Sequence, residues 1–559
     1  MKINRFMIKK GIQCLKKYGV KELLIRTTEK LHSDAGKYDE WFQKQRLTDA
    51  GWEEQRAASD AWTTRPVVSI CVPIYQTPET YFCQMIDSVR NQTYTNWQLC
   101  LADGSPGEEL GELLKRKYPD EKRICYRHLE QNLGISENTN AALALAEGEW
   151  IALLDHDDVL APDALYEVLM AAKTGTVEEA GAVYTDEDKI TEDLKTHFDP
   201  HFKPDYNPDL LCSNNYITHF FAVKREIAKQ AGGFRGEFDG SQDHDFIFRC
   251  TDIAENVAHV PKILYHWRTS ANSTAENPES KMYAYDAGKR AIEAHLKAKN
   301  IKAGVEYTKK LGFFRVKYEV QGEPLISVIV VGDHTPRNIE KSSYQHYEVF
   351  HTAAEKEVVD RCIRTEAKGE YIVLVDGNTE ICTENWLEEM AGLCQRADVA
   401  AVGAKIFQPS GKIQSAGQVM GGPELVNDLF KNMPGDHYGY MQRACLQIGY
   451  TAVSMECVML KRCIYEELGG LQENNCLGLS ACMLDYYLRL QKAGYRTVYT
   501  PYAGVKMTAA EELTKMEEAE KKLLLQKWPQ LKMPDPNYHP DLSLQPADYK
   551  IKHNDSETT

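Results

Sequence analysis

The chain has 559 residues, 43% apolar and 26% charged, an ordinary composition for a chain that buries large cores. At roughly 100–200 residues per domain its length predicts about three domains. The net charge of −16 excludes a general nucleic-acid binder, which needs a basic footprint. Fifteen cysteines with no C-x-x-C spacing argue against a zinc ribbon and predict a reducing compartment, where Cys serves as a small buried hydrophobe. With no apolar run near the ~20 residues that span a bilayer and no secretory leader, the expectation is a cytoplasmic protein.

Residues 1–60 predict helix, because Ile3, Met7, Ile8, Ile12, Leu15, Leu23 and Leu24 recur at helical spacing between lysines. Residues 1–33 hold nine Lys/Arg against two Glu, a net of +7. Such a helix can lie in a membrane surface at the inner face of the cytoplasmic membrane, or pack on the next domain with its basic face solvated; both readings stand. From Pro66 the pattern is strand–helix–strand: "VVSICVPIY", "WQLCLADG", "RICYRHL" and "EWIALLDHDD" are strands with helices between them. This alternation predicts a parallel, doubly wound α/β sheet, with ligands outside the carboxyl ends of the strands. Further on, "AGAVYTDEDKI", "NYITHFFAVKREI" and "HVPKILYHWR" predict strands, "SQDHDFIFRCTD" opens a helix, and residues 280–299 close the domain as another helix.

At Pro324 the pattern restarts. "PLISVIVVGD" echoes "PVVSICVPIY", "AKGEYIVLVDGNTEICTENWLEEM" echoes "AEGEWIALLDHDDVLAPDALYEVL", and "LDYYLRLQKAGYRTVYTP" echoes "DHDFIFRCTDIAENVAHVP". A whole domain is duplicated, a unit far longer than a solenoid repeat. The expected domains are a basic helical segment over 1–60, a catalytic domain over 61–305, a linker over 306–323, a second domain over 324–535 and a tail over 536–559.

The chemistry gathers at strand ends of the first copy. "LLDHDD" closes an apolar strand with Asp155, Asp157 and Asp158. Bunched carboxylates repel unless a cation or donors offset them, and a hard divalent ion shared with substrate phosphates does so; a helix-capping turn accounts for the same residues. Asp103 ends the second strand, and "QNLGISENTNAAL" ends the third with Gly134 at a tight turn. Asp243 and Asp245 stand at a helix start, either as dipole-favoured charges or with one as a general base. His266 follows the strand of "YHWR"; alone it is more often structural than a ligand.

In order, "VSICVPIY", "LADGS", "NLGIS", "LLDHDD", "GGF", "SQDHDF" and "YHWR" resemble the family-2 glycosyltransferases of the GT-A fold, and "YTDEDKI…FKPDYNPDLLCSNNYITH" resembles their rhamnosyltransferase or O-antigen biosynthesis type. The resemblance implies two GT-A-like, Rossmann-like mixed-sheet domains in tandem. It implies that Asp103 meets the uracil or thymine ring of a nucleotide-diphosphate sugar, that Pro73 and Tyr75 line the base pocket, and that Asn132, Gly134 and His156 belong to the donor pocket. Asp155 would hold the ribose and Asp157 a Mn2+ or Mg2+ ion. Asp243 matches the catalytic base, and His266 a histidine that is a metal ligand in some members. Asp158, Gln242 and Asp245 would support them, Gln242 departing from the Glu usual at that place. The implied reaction is inverting transfer from a dTDP- or UDP-sugar, dTDP-rhamnose among them, to a hydroxyl of a lipid-linked glycan.

The second copy is a built-in control. Only 49 positions separate Ser327 from Asp376, against 86 from Ser69 to Asp155, so the span carrying the second and third strand ends is expected to be missing. "LVDGNT" puts Asn378 at the metal position, and "ACMLD" puts Met483 where Asp243 stands. Asn is a poor ligand for a hard cation, and Met cannot take a proton. This copy is expected to have lost catalysis. Two further readings are a bifunctional two-site transferase and a glycan-binding scaffold.

Overall fold

The computed structural model describes residues 35–173, 179–269, 282–471, 477–509 and 516–552. The basic helix expected over 1–33 therefore lies outside the described residues. Two helices precede the first sheet, α1 (Ala35–Gln45) and α2 (Asp49–Asp60); Thr48 caps α2, its hydroxyl accepting from the Gly51 N–H at 3.1 Å.

The first domain runs β1 (Val68–Ile74), α3 (Glu79–Arg90), β2 (Trp97–Asp103), α4 (Glu109–Lys117), β3 (Ile124–His128), α5 (Ile135–Leu143), β4 (Trp150–Leu153), β5 (Val159–Leu160), α6 (Ala164–Lys173), β6 (Ala182–Thr191), β7 (His197–His201), α7 (Pro208–Ser213), β8 (Phe221–Lys224), α8 (Arg225–Ala231), α9 (Gln242–Ile253), β9 (Val257–Thr269) and α10 (Met282–Ala298). The sheet order is β3-β2-β1-β4-β8-β6-β9-β5, with β7 on β6. The first four strands are parallel and covered by helices, which is why β1 and β2 are continuous apolar runs. Beyond β4 the sheet departs from the expected parallel pattern: β8 runs antiparallel to both β4 and β6. "NYITHFFAVKREI", expected as one strand, gives only four residues to β8. The chain before them is loop, which turns Asn215 and His219 toward the edge where the other polar residues gather.

The second domain repeats this architecture. Its strand order is Tyr347–Thr352, Ile326–Val331, Tyr371–Asp376, Cys457–Lys461, Val399–Phe407, Arg496–Met507 and Thr379–Ile381, the order of β2-β1-β4-β8-β6-β9-β5. The shortening is thus narrower than expected. The second strand survives, and its register against Ile326–Val331 matches that of β2 on β1, which puts Ala353 where Asp103 stands. What is lost is the counterpart of β3, with α3 reduced to a single turn at Ile339–Lys341. A shared joint survives in both copies. The Ser69 hydroxyl accepts from the Gly148 N–H at 2.9 Å, and the Ser327 hydroxyl from the Gly369 N–H at 2.7 Å. A Cβ on Gly148 would lie 2.5 Å from the Val67 carbonyl oxygen, and one on Gly369 2.5 Å from the Ser327 nitrogen, so only glycine fits at either place.

Residues 306–323, expected as a linker, are built largely as an antiparallel hairpin, Ala303–Tyr307 with Phe314–Tyr318. The two domains meet along residues 200–214. Asp209 of α7 is buried and paired with both Arg396 and Arg496. The Asn207 amide donates to the Gly449 carbonyl at 2.7 Å, and the Tyr440 hydroxyl donates to the Pro200 carbonyl at 2.7 Å. The tail folds back over this seam, where His539 Nε2 lies 2.7 Å from Asp186 Oδ2.

Candidate nucleotide-sugar site

The carboxyl ends of β1, β2 and β4 and the start of α9 open onto one edge of the first sheet. Asp155 follows β4 with its side chain 47% exposed, and its Oδ2 lies 3.3 Å from His219 Nε2. The other nitrogen of that ring, Nδ1, lies 3.1 Å from Glu187 Oε2. His219 is thus clamped between two carboxylates. Its ring is stacked on Tyr265 with centroids 4.5 Å apart and planes at 9°. Burial alone would lower its pKa, but Asp155 and Glu187 outweigh that and hold it well above the ordinary histidine value, as an imidazolium. Burial likewise works to raise the Asp155 carboxyl, and the His219 hydrogen bond and charge bring it below the usual range.

Asp243, in the first turn of α9, is held by the Asn215 amide, which donates to its Oδ2 at 2.7 Å. Burial pushes its carboxyl up; the His219 charge opposes this and the Asp155 charge adds to it, leaving it above the ordinary carboxylate value. A carboxylate raised this way is a better proton acceptor near neutral pH. Asp245, one turn face away, is closed off in ion pairs with Arg235 and Arg249. Arg249 also donates to the carbonyls of Ala231 and Gly233, so this pair ties α9 to the Gly-Gly turn. Gln242 turns back, its carbonyl accepting from the Gly240 N–H at 2.9 Å.

The three aspartates of the acidic loop divide their tasks. Asp158 is buried, accepting from the Tyr265 hydroxyl at 2.5 Å and the Arg268 N–H at 2.8 Å. Among the described residues the half-buried Asp157 carboxylate has no hydrogen-bond or ion-pair partner, while its backbone carbonyl accepts from Arg268 Nε at 2.5 Å. A carboxylate left unpaired beside two others suits a divalent ion that brings phosphate oxygens with it. His156 Nδ1 is buried with no partner among the described residues.

At the β2 end of the same edge, Asp103 is fully buried. Its oxygens already accept from the Ser105 N–H and the Tyr126 hydroxyl, each at 2.8 Å, so it organises its own loop and has only its remaining lone pairs for a ligand. Pro73 lies in β1 beside Ala102, and Tyr75 just beyond is 42% exposed. Asn132 accepts from the Gly134 N–H at 3.1 Å and the Asn138 amide at 2.9 Å. Gly134 has φ of +96°, and a Cβ there would lie 2.8 Å from Asp239 Oδ2. Asp239 itself accepts from the Ser136 hydroxyl at 2.5 Å, bringing the turn before α9 against the loop before α5.

His266 does not join this group. β9 alternates faces: Tyr265 and Trp267 lie toward His219, and His266 points to the other side, where its Nδ1 lies 2.6 Å from Asp188 Oδ1. This alternation gives His266 the carboxylate of Asp188 as its partner, on the face away from His219. The histidine at the site is His219, which sequence reasoning missed. The available signal was its place in the polar stretch "NNYITH" just before a strand.

The same register finds its counterpart in the second domain. His219 precedes Lys224 by five positions, and Lys224 pairs with Trp150, five before Asp155. Lys461 pairs with Tyr371, five before Asp376, so Glu456 stands where His219 does. Burial pushes Glu456 up to about 7, with Asp376 among the charges that add to it. An imidazolium–carboxylate pair has become two carboxyls. The Asp245–Arg249 joint is kept, as Asp485–Arg489 with donation to the Leu468 and Gly470 carbonyls.

Residues 69–232 match the family model described as glycosyl transferase family 2. The match assigns residues 69–232 of the first domain to the family-2 glycosyl transferases. It is 32% identical to the protein y4gI of Sinorhizobium fredii, over 94% of this chain and 65% of that protein. It is 28% identical to RfbC, an O-antigen biosynthesis protein of Myxococcus xanthus, over 78% of this chain and 37% of that protein. The chain thus spans less than two thirds of the length of each. Residues 1–349 of TarS from S. aureus align at 18% identity and a TM-score of 0.33, over 41% of this chain and 65% of that one. The family-2 match ends before α9, so Asp243 lies beyond it, while Asp103, Asp155, Asp157 and His219 lie inside.

Proposed function

We propose that this family-2 domain, residues 61–305, transfers a sugar with inversion from a nucleotide-diphosphate donor, a UDP- or dTDP-sugar such as dTDP-rhamnose, to a hydroxyl of a glycan acceptor in surface-polysaccharide assembly. The observation that carries the reading is the placing of Asp243: a carboxylate of raised pKa, held by Asn215, beside the imidazolium of His219 and next to Asp155. RfbC, by its name an O-antigen biosynthesis protein, supports the pathway class.

In this reading the acceptor hydroxyl lies against Asp243, whose carboxylate takes the proton as the oxygen attacks the anomeric carbon. One base suffices, because direct displacement forms no covalent enzyme intermediate. Asp155, oriented by His219, binds the donor's ribose, and Pro73 and Tyr75 border the base. Asp157 would hold Mn2+ or Mg2+, which supplies charge neutralisation for the departing diphosphate. The imidazolium of His219 adds a fixed positive charge at the same edge, preorganised by Tyr265 and Glu187.

The second domain serves as a scaffold that fixes residues 200–214 of the first. Among the described residues no helix is long and apolar enough to cross a membrane; contact of residues 1–33 with the membrane's inner face and a lipid-linked acceptor remain parts of this proposal. The deciding experiment measures nucleoside diphosphate release from UDP- and dTDP-sugars with an acceptor glycan. Asp243→Asn is expected to bind donor and lose transfer. Full turnover by that variant removes Asp243 from the role.

A further inference from the structure

β6 carries three consecutive acids, and the two-residue period of a strand sends them to opposite faces. Glu187 goes to the His219 side. Asp188 goes to the other face, under α1, where it meets His197 and His266. His197 Nδ1 lies 2.9 Å from Asp188 Oδ2, and His266 Nδ1 lies 2.6 Å from Asp188 Oδ1. The Tyr38 hydroxyl of α1 donates to the same carboxylate at 2.7 Å. All three members of the trio are buried, and one ligand atom from each lies within 4.8 Å of the others. The imidazole centroids are 4.6 Å apart with planes at 73°.

Two features separate this trio from a closed hydrogen-bonded hub. Among the described residues neither Nε2 has a hydrogen-bond partner, so each ring can carry its proton there and leave Nδ1, the atom on Asp188, to an ion. Both histidines also line a cavity of about 690 Å³ beneath α1, which Asp163 lines as well. Two imidazoles and one carboxylate, beside a polar cavity able to hold water, form the nitrogen and oxygen donor set that a borderline cation accepts, and an outer-shell hydroxyl on the carboxylate is the usual support for such a set.

We propose that Asp188, His197 and His266 bind one Zn2+ ion, with the cavity supplying its remaining position, at a site distinct from the donor-linked ion at Asp157. Ligand atoms around a tetrahedral Zn2+ sit about 3.3 Å apart, so binding opens the present 2.6 and 2.9 Å contacts by about 0.7 and 0.4 Å and gathers the three ligand atoms inside their present 4.8 Å span. The ion then ties β6, β7 and β9 together and, through Tyr38, holds α1 in place.

The test uses the full chain, stripped with chelator and dialysed against Zn2+ with no nucleotide present. One tightly held Zn2+ per chain is expected. X-ray absorption should give a first shell containing two imidazole nitrogens, and Co2+ in place of Zn2+ should give the visible bands of a four-coordinate site. His197→Ala and His266→Ala should each weaken binding at least tenfold, and Asp157→Asn should leave it unchanged. A wild-type chain that stays metal-free overturns the proposal whether or not the variants fold. Zn2+ retained in the double histidine variant, or lost in Asp157→Asn, overturns it as well.

Discussion

His219 Nε2 lies 3.3 Å from Asp155 Oδ2 while its Nδ1 lies 3.1 Å from Glu187 Oε2, so one ring spans from the acidic loop to the central strand β6. Replacing it with Gln keeps some hydrogen bonding and removes the charge; replacing it with Ala removes both. A lost charge-assisted hydrogen bond costs about 1.5–3 kcal/mol, so His219→Ala should lower kcat/KM roughly 10- to 100-fold, with His219→Gln in between. Steady-state kinetics alongside donor titration calorimetry checks this. Wild-type kinetics in the Ala variant would show that the clamp is structural only.

Asp243→Asn should lower kcat by roughly 10²–10⁴-fold, the usual worth of a positioned base, and leave donor affinity within about twofold. The same group sets a pH dependence. A base acts deprotonated, so kcat should rise with pH through the Asp243 pKa, which burial has raised above the ordinary carboxylate value. The midpoint should therefore lie on the neutral side of about 3.9, and it should vanish from the residual rate of Asp243→Asn.

Glu187 has its pKa held well below the usual value: burial works against this, but Lys203, His201 and His219 prevail. A depressed carboxyl stabilises the fold above its unfolded value of about 4.3, and that share is lost as pH falls toward the folded pKa, because the unfolded chain takes the proton first. Thermal melts from pH 7 down to pH 3 should show the loss beginning near pH 5. Glu187→Gln should start lower and fall less steeply over that window.

Asp209→Ala should loosen the seam between the domains. It strips a buried partner from Arg396 and Arg496, although Asp398 still contacts both. The expected cost is about 3 kcal/mol, at the lower end for breaking a buried pair, read by denaturant unfolding. Asp398→Ala, at an exposed carboxylate, should cost under about 1 kcal/mol.

Asp376→Asn in the second domain should change transfer less than about twofold. Its carboxyl is pushed up chiefly by burial, so neutralising it should be neutral or mildly stabilising in a melt. A large loss of transfer with an unchanged melt would restore a catalytic task to that domain.

Much of this was legible in the sequence. The apolar runs ending at Asp103 and Asp155 fix buried strands that stop at polar groups, because a parallel strand covered on both faces has little choice of composition. The duplication was legible because "EWIALLDHDD" returns as "EYIVLVDGNT" in the same order of elements, and because the four-residue Asp245–Arg249 spacing returns as Asp485–Arg489. Tertiary structure alone decided what depends on phase and on distant partners. Alternation along β9 is a period of two whose phase the sequence leaves open, and that phase sent Tyr265 toward His219 and His266 toward Asp188. His219 pairs with residues 64 and 32 positions away, and "FKPDYNPDLL", legible only as a family likeness, became the seam with the second domain. Such contacts are set when the sheet closes and remote segments meet, a step that local periodicity does not encode.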